Sequence, residues 1–191
     1  MWIKICGLTT REAVDAAIAA GVDAIGFVFA ASKRQVDVLK AVDLARGIPA
    51  DVLRVAVMQH PAQILVDEVC AIFKPDFVQT DYQDGATVRI PVPLLPVMRA
   101  GRTLPTPLPD RVLFEGPVSG TGSTSDWQRA AELARQTQLI LAGGLNASNV
   151  ADAIKLVRPF GVDVSSGVES EPGIKDTGKI AEFVEIVRAT R

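Results

Sequence analysis

Three features of the sequence predict an α/β fold whose parallel strands close into a compact (β/α)8 TIM barrel. Short apolar runs alternate with helical patterns along all 191 residues, giving about eight strands and six or seven helices. Some of these runs are continuously apolar, as at residues 24–29, which suits parallel strands covered on both faces. Four of them end in small or polar residues of the kind that line a site: Cys6-Gly7, Ser32-Lys33-Arg34, Gly143-Gly144 and Ser165-Ser166-Gly167. An open, doubly wound sheet is the alternative, and the eight-unit count favours the barrel. Such barrels run to about 250 residues. A shorter chain therefore implies that one or two helices in the proline-rich middle are truncated or replaced by loops.

The first strand, residues 2–6, ends at Gly7. Thr9-Thr10 then supplies a helix cap, with Glu12 in the first turn, an alanine-rich stripe and a stop at Gly21. Strand two covers 24–29. Helical spacing over 36–46 (Val38, Ala41, Val42, Ala45) ends at Gly47-Ile48-Pro49. Strand three is 53–58, and helix three is 61–73 with Pro61 in its first turn. Strand four is 77–80. A strand at 94–99 lies among Pro91, Pro93 and Pro96, and Pro105, Pro107 and Pro109 exclude an ordinary helix after it. Strand six is 112–115. A glycine-rich loop over 116–125 leads to a helix beginning near Asp126, and strand seven (139–142), a helix (147–157), strand eight (162–164) and a last helix from 177 to about 189 follow. The whole reads as one domain over residues 1–191.

The composition narrows the function classes. A net charge of −2 with no run of Lys or Arg argues against nucleic acid as a partner. No apolar stretch reaches the roughly 18 residues of a membrane span, and the N-terminus has no signal-peptide pattern. Cys6 and Cys70 form no CxxC cluster, and with His60 as the one histidine no metal-ligand set is visible. A cytoplasmic protein with reduced thiols is expected, as a monomer or homodimer, with a small molecule as its ligand.

Period-two alternation puts Lys4 and Cys6 on one face of the first strand and Ile3 and Ile5 on the other. If the apolar pair meets the helices, Lys4 and Cys6 point into the barrel, and Asp163 on the neighbouring last strand is the natural partner of a buried Lys4. Cys6 then reads either as a small buried hydrophobe or as a working thiol at the barrel mouth. Asp126 reads either as an N-cap or as a proton donor at a helix start. The loop before it lacks both the GK[ST] ending and GxGxxG, so nucleotide binding is poorly supported. The glycine turns after strands seven and eight can cradle a phosphate with backbone N–H groups, and Arg34 can add a forked contact to a second anion such as a carboxylate. Cys70, Trp2 and Trp127 read as packing residues and His60 as an exposed loop residue.

Lys4-Ile5-Cys6-Gly7, Gly26-Phe27 with Ser32-Lys33-Arg34, Val78-Gln79, Gly120-Thr121-Gly122 with Asp126-Trp127, Leu141-Ala142-Gly143-Gly144-Leu145 and the stretch from Asp163 to Glu169, with Pro172-Gly173 and Lys175-Asp176, together resemble phosphoribosylanthranilate isomerase of tryptophan biosynthesis. The resemblance implies a cofactor-free (β/α)8 enzyme that performs an Amadori rearrangement of N-(5-phosphoribosyl)anthranilate to the 1-deoxyribulose 5-phosphate derivative. By the same resemblance Asp126 is the general acid and Cys6 the general base, and Arg34 holds the anthranilate carboxylate. Gly143, Gly144, Ser166 and Gly167 grip the phosphate, with Gln79 and Asp163 completing the substrate-binding set. The chain departs from the family pattern at Thr80-Asp81-Tyr82 (commonly Leu-His-Gly), at Glu115 (commonly Asp), at Ser125 (often Phe) and at Val57-Met58-Gln59-His60 (commonly Val-Phe-Val). Another phosphosugar isomerase or epimerase, or a non-catalytic barrel that binds a phosphate ligand, is the alternative.

Overall fold

The computed structural model describes residues 1–116 and 126–190. The loop expected at 116–125, with its Gly120-Thr121-Gly122 and Ser125, lies outside them except for Gly116. Strands β1 (Trp2–Cys6), β2 (Ala24–Val28), β3 (Leu53–Val57), β4 (Phe77–Asp81), β5 (Leu94–Arg99), β6 (Arg111–Glu115), β7 (Gln138–Leu141) and β8 (Gly161–Val164) pair in parallel in chain order, and β8 returns to β1 to close the barrel. Around them lie α1 (Arg11–Ala19), α2 (Val38–Leu44), α3 (Gln63–Ile72), the single turn α4 (Tyr82–Gly85), α5 (Trp127–Ala134), α6 (Val150–Val157) and α7 (Thr177–Ala189). The proline-rich middle is built as expected. One turn of helix follows β4, and a loop without helix joins β5 to β6, since prolines there remove the N–H groups a helix needs.

Helix starts follow side-chain caps. Thr10 accepts from the Ala13 N–H, Asp37 from Lys40 and Asp176 from Lys179, at 3.3, 2.7 and 2.9 Å. Three helices are shorter than their periodicity predicts. Asp37 caps α2, which therefore begins at Val38 and not at 36, while α3 begins at Gln63, two residues beyond Pro61. In the third case the Asn146 side chain accepts from the N–H of Ser148, and Asn149 accepts from the N–H of Asn146, both at 2.9 Å. Those turns compete with helix, so α6 begins at Val150 rather than 147.

Alternation splits the apolar residues into two cores. Ile3, Ile5, Ile25, Phe27, Phe114, Leu139 and Val162 pack outward against the helices, with Phe183 of α7 among their neighbours. Leu95, Val97, Leu113, Ile140 and Ala142 fill the barrel with Trp2 and Phe77 packed against them. Truncating one of the fully buried aromatics to alanine costs about 3–5 kcal/mol. Among the described residues no helix is long and apolar enough to cross a membrane.

Polar groups occupy the rest of the interior. Lys4 sits opposite Asp163 in the β1–β8 register, and its ammonium meets that carboxylate at 2.8 Å with no exposed surface of its own. The structure thus joins the two residues that strand alternation pairs. Lys4→Met should cost about 3–5 kcal/mol, because Asp163 is left buried and uncompensated. In urea unfolding, Lys4→Met with Asp163→Leu should recover most of that loss. A single variant as stable as the parent would contradict the account.

Candidate active site

At the carboxyl end of the strands a cavity of about 250 Å³ opens, lined among others by Cys6, Arg34, Gln79, Arg99, Glu115 and Asp163. These groups reach it because inward positions alternate along each strand. They fall into three charge clusters.

The first lies on β1 and β8. Cys6 and Lys4 converge over Gly26, where an added Cβ would stand 3.1 Å from Cys6 Sγ and 3.1 Å from Lys4 Cε. A glycine on β2 is thus what leaves room for both side chains. Desolvation opposes the Lys4 charge, yet Asp163 and Cys6 hold its pKa above the ordinary lysine value. Burial drives the Cys6 thiol upward, with Asp163 adding to the rise. Lys4 and Lys175 pull against it without cancelling it.

The second cluster rests on a short 3-10 turn (Ser166–Val168) and a hairpin of β9 (Glu169–Glu171) and β10 (Ile174–Lys175), neither of which the hydrophobic pattern predicts. Glu169 accepts from Arg34 Nε at 2.6 Å and Nη2 at 2.9 Å, from Lys175 Nζ at 2.8 Å and from the Gly173 N–H at 3.2 Å. Lys175 also donates to the Ser165 carbonyl at 2.9 Å, and Ser165 Oγ donates to the Cys6 carbonyl at 3.0 Å. Burial works against the Glu169 charge. The hydrogen bonds from Arg34 and Lys175 outweigh it and bring the carboxyl down to about 2. Burial likewise lowers Lys175 despite its carboxylate partner.

The third cluster spans β4, β5 and β6. Arg99 donates to Asp81 from Nε at 2.9 Å and Nη2 at 2.6 Å, and its Nη1 meets Glu115 at 2.8 Å. Desolvation opposes the guanidinium charge, and Asp81 and Glu115 more than offset it, leaving Arg99 above its ordinary value. Sequence reasoning did not place Arg99 or Glu115 in the site. The available signal is alternation: Leu95, Val97 and Arg99 share one face, as do Leu113 and Glu115. Gln79 lines the same cavity, and its Oε1 is buried with no hydrogen-bond partner among the described residues.

Asp126 stands at the start of α5, where its carboxylate accepts from the Arg129 N–H at 2.9 Å and the residue is exposed. Glu115, at the end of β6, lines the cavity. Gly143 and Gly144 turn with φ of 89° and 65° after β7. The turn after β8 packs directly on theirs, since a Cβ on Gly167 would strike the Leu145 carbonyl. His60 is exposed, as expected, and pairs with Asp84 at 2.9 Å. Trp2 and Trp127 pack against the two cores, and Cys70 is half-buried beside the outer one.

Comparison with known proteins gives a consistent result. The profile of the family described as N-(5'phosphoribosyl)anthranilate (PRA) isomerase matches residues 3–186. The N-(5'-phosphoribosyl)anthranilate isomerase of Streptococcus pneumoniae (strain Taiwan19F-14) is 41% identical over 190 residues, spanning 97% of this chain and 95% of that one. Among solved structures, TrpF from Jonesia denitrificans aligns with a TM-score of 0.85 at 35% identity, over 100% of this chain and 98% of the other. A phosphoribosyl anthranilate isomerase in complex with reduced 1-(o-carboxyphenylamino)-1-deoxyribulose 5-phosphate aligns at 0.82 and 27% identity, over 98% of both chains.

The Glu169 carboxyl lies at about 2 when folded against 4.5 ordinarily. Its depressed value contributes stability that is whole above about pH 4.5 and lost as pH falls towards 2. Thermal unfolding across that window should show the gap between wild type and Glu169→Gln constant above about pH 5 and closing below it. A gap that widens on acidification would refute the assignment.

Proposed function

This chain belongs to the N-(5'-phosphoribosyl)anthranilate isomerase family, and from that membership we propose that Cys6 and Asp126 are the base and acid of its reaction. The reaction is the aldose–ketose isomerisation of N-(5'-phosphoribosyl)anthranilate to 1-(2-carboxyphenylamino)-1-deoxyribulose 5-phosphate in tryptophan biosynthesis. Residues 1–191 act as one catalytic domain, in the cytoplasm, on a small phosphorylated substrate.

The observation that carries the assignment is that Cys6 lines a cavity at the carboxyl end of the strands, while Asp126 begins the helix that follows β6. Asp126 gives a proton to the ribose ring oxygen, the C1'–O bond breaks, and the amine nitrogen's lone pair forms an iminium. Cys6 then takes the C2' proton, and those electrons move to C1' and neutralise the nitrogen, leaving an enolamine. Proton loss from the C2' hydroxyl and protonation at C1' complete the ketone, with no net change in oxidation state. A high thiol pKa leaves little thiolate near neutrality, but the thiolate present is a strong base.

Arg34, with Nε and Nη2 engaged by Glu169, turns its remaining edge to the cavity, where it holds the anthranilate carboxylate. The orphaned Gln79 Oε1 accepts from a ribose hydroxyl, since a buried acceptor without a partner is costly. Backbone N–H groups of Gly143, Gly144, Ser166 and Gly167 take the phosphate. Asp163 faces the sugar while holding Lys4.

Following the loss of substrate fluorescence, Cys6→Ser and Asp126→Asn should each lower kcat by about 10²–10⁴-fold. Asp126→Asn should remain folded, because asparagine is as good an N-cap as aspartate. Activity unchanged in both folded variants would refute the acid and base assignment.

A further inference from the structure

We propose that Glu169 is the positioning residue that makes this site selective for an arylamine carrying a carboxylate, by fixing the edge of Arg34 offered to it. This rests on the reading of Arg34 as the holder of that carboxylate. A guanidinium on a flexible stem recognises a planar anion well only if its fork is oriented beforehand. Here the orientation comes from two sides. Glu169 takes the Nε and Nη2 edge through bonds of 2.6 and 2.9 Å. The stem crosses Gly7, where a Cβ would stand 2.6 Å from Arg34 Cδ. What remains for a ligand is the Nη1 side, beside Cys6 on the cavity wall.

The surroundings of Glu169 suit this role and no direct contact with substrate. Its side chain is 4% exposed and does not line the cavity. It is anchored by Lys175 and the Gly173 N–H, both in the hairpin segment. Two cations around one carboxylate leave a net positive charge buried against the cavity, and an arriving anion is its natural counter-charge. Without Glu169 the charge of Arg34 survives but its direction does not. The expected loss is therefore in discrimination between anionic and neutral aryl groups, and not in the proton transfers.

The test compares kcat/KM for N-(5-phosphoribosyl)anthranilate with that for N-(5-phosphoribosyl)aniline, which lacks the carboxylate. Arg34→Met should collapse the ratio of the two. Glu169→Gln should lower it by about 10- to 100-fold, the worth of a charge-assisted hydrogen-bond pair, through KM for the anthranilate substrate, with kcat on the aniline substrate unchanged. Adding Glu169→Gln to Arg34→Met should cause no further loss. Should Glu169→Gln fold poorly, Glu169→Gln with Lys175→Met restores the charge balance and should show the same loss of discrimination. A folded Glu169 variant that keeps the wild-type ratio, or slows both substrates equally, overturns the proposal. A ratio unchanged in Arg34→Met overturns instead the reading of Arg34.

Discussion

A lysine with no exposed surface governs what the rest of the barrel can be. Lys4 can stay charged inside the barrel only because Asp163 meets it at 2.8 Å. That pair lies across the seam where β8 returns to β1, so closure of the barrel and satisfaction of the charge are one condition. The space needed comes from β2, where Gly26 supplies no side chain of its own. Cys6 inherits its surroundings from this arrangement. It sits one inward position nearer the mouth, desolvated like Lys4 and pulled both ways by the two charges below it.

Above this neutral pair the cavity is polarised. Arg34, Glu169 and Lys175 carry one positive charge in excess, and Asp81, Arg99 and Glu115 carry one negative charge in excess. Buried ion networks add little to stability on balance, so what the two clusters give the cavity is a direction of charge from one wall to the other.

Much of this was legible in the sequence, and the parts that were not share a cause. Alternation along a single strand was enough to turn Lys4 and Cys6 inward and to find Asp163. Continuous apolar runs and prolines predicted the barrel and its thin middle. Asp126 was legible as the start of a helix after a glycine-rich loop, and the capping bond to Arg129 is there, but local pattern could not say what else its carboxylate meets. Arg99 and Glu115 become partners only when β4, β5 and β6 lie side by side, and the three segments are separated by loops whose course no local pattern fixes. Glu169 was part of a recognisable stretch, yet its grip on Arg34 spans 135 positions of sequence, a distance over which periodicity says nothing.

The loop that replaces a helix between β5 and β6 gives the two walls unequal backing. The wall around β1 and β8 leans on α1 and α7, which also pack on each other. Beside β5 the outer core is completed by partly buried side chains such as Val92, Leu104 and Leu108. Every departure from the family pattern, from Met58 through Asp81 and Glu115 to Ser125, falls within residues 57–125. Lys4, Cys6, Arg34, Glu169 and the glycine turns after β7 and β8 lie outside that interval and follow the pattern. The arc that closes the barrel at its seam is thus distinct from the arc in which this chain departs, and substitutions in the second leave the Lys4–Asp163 closure untouched.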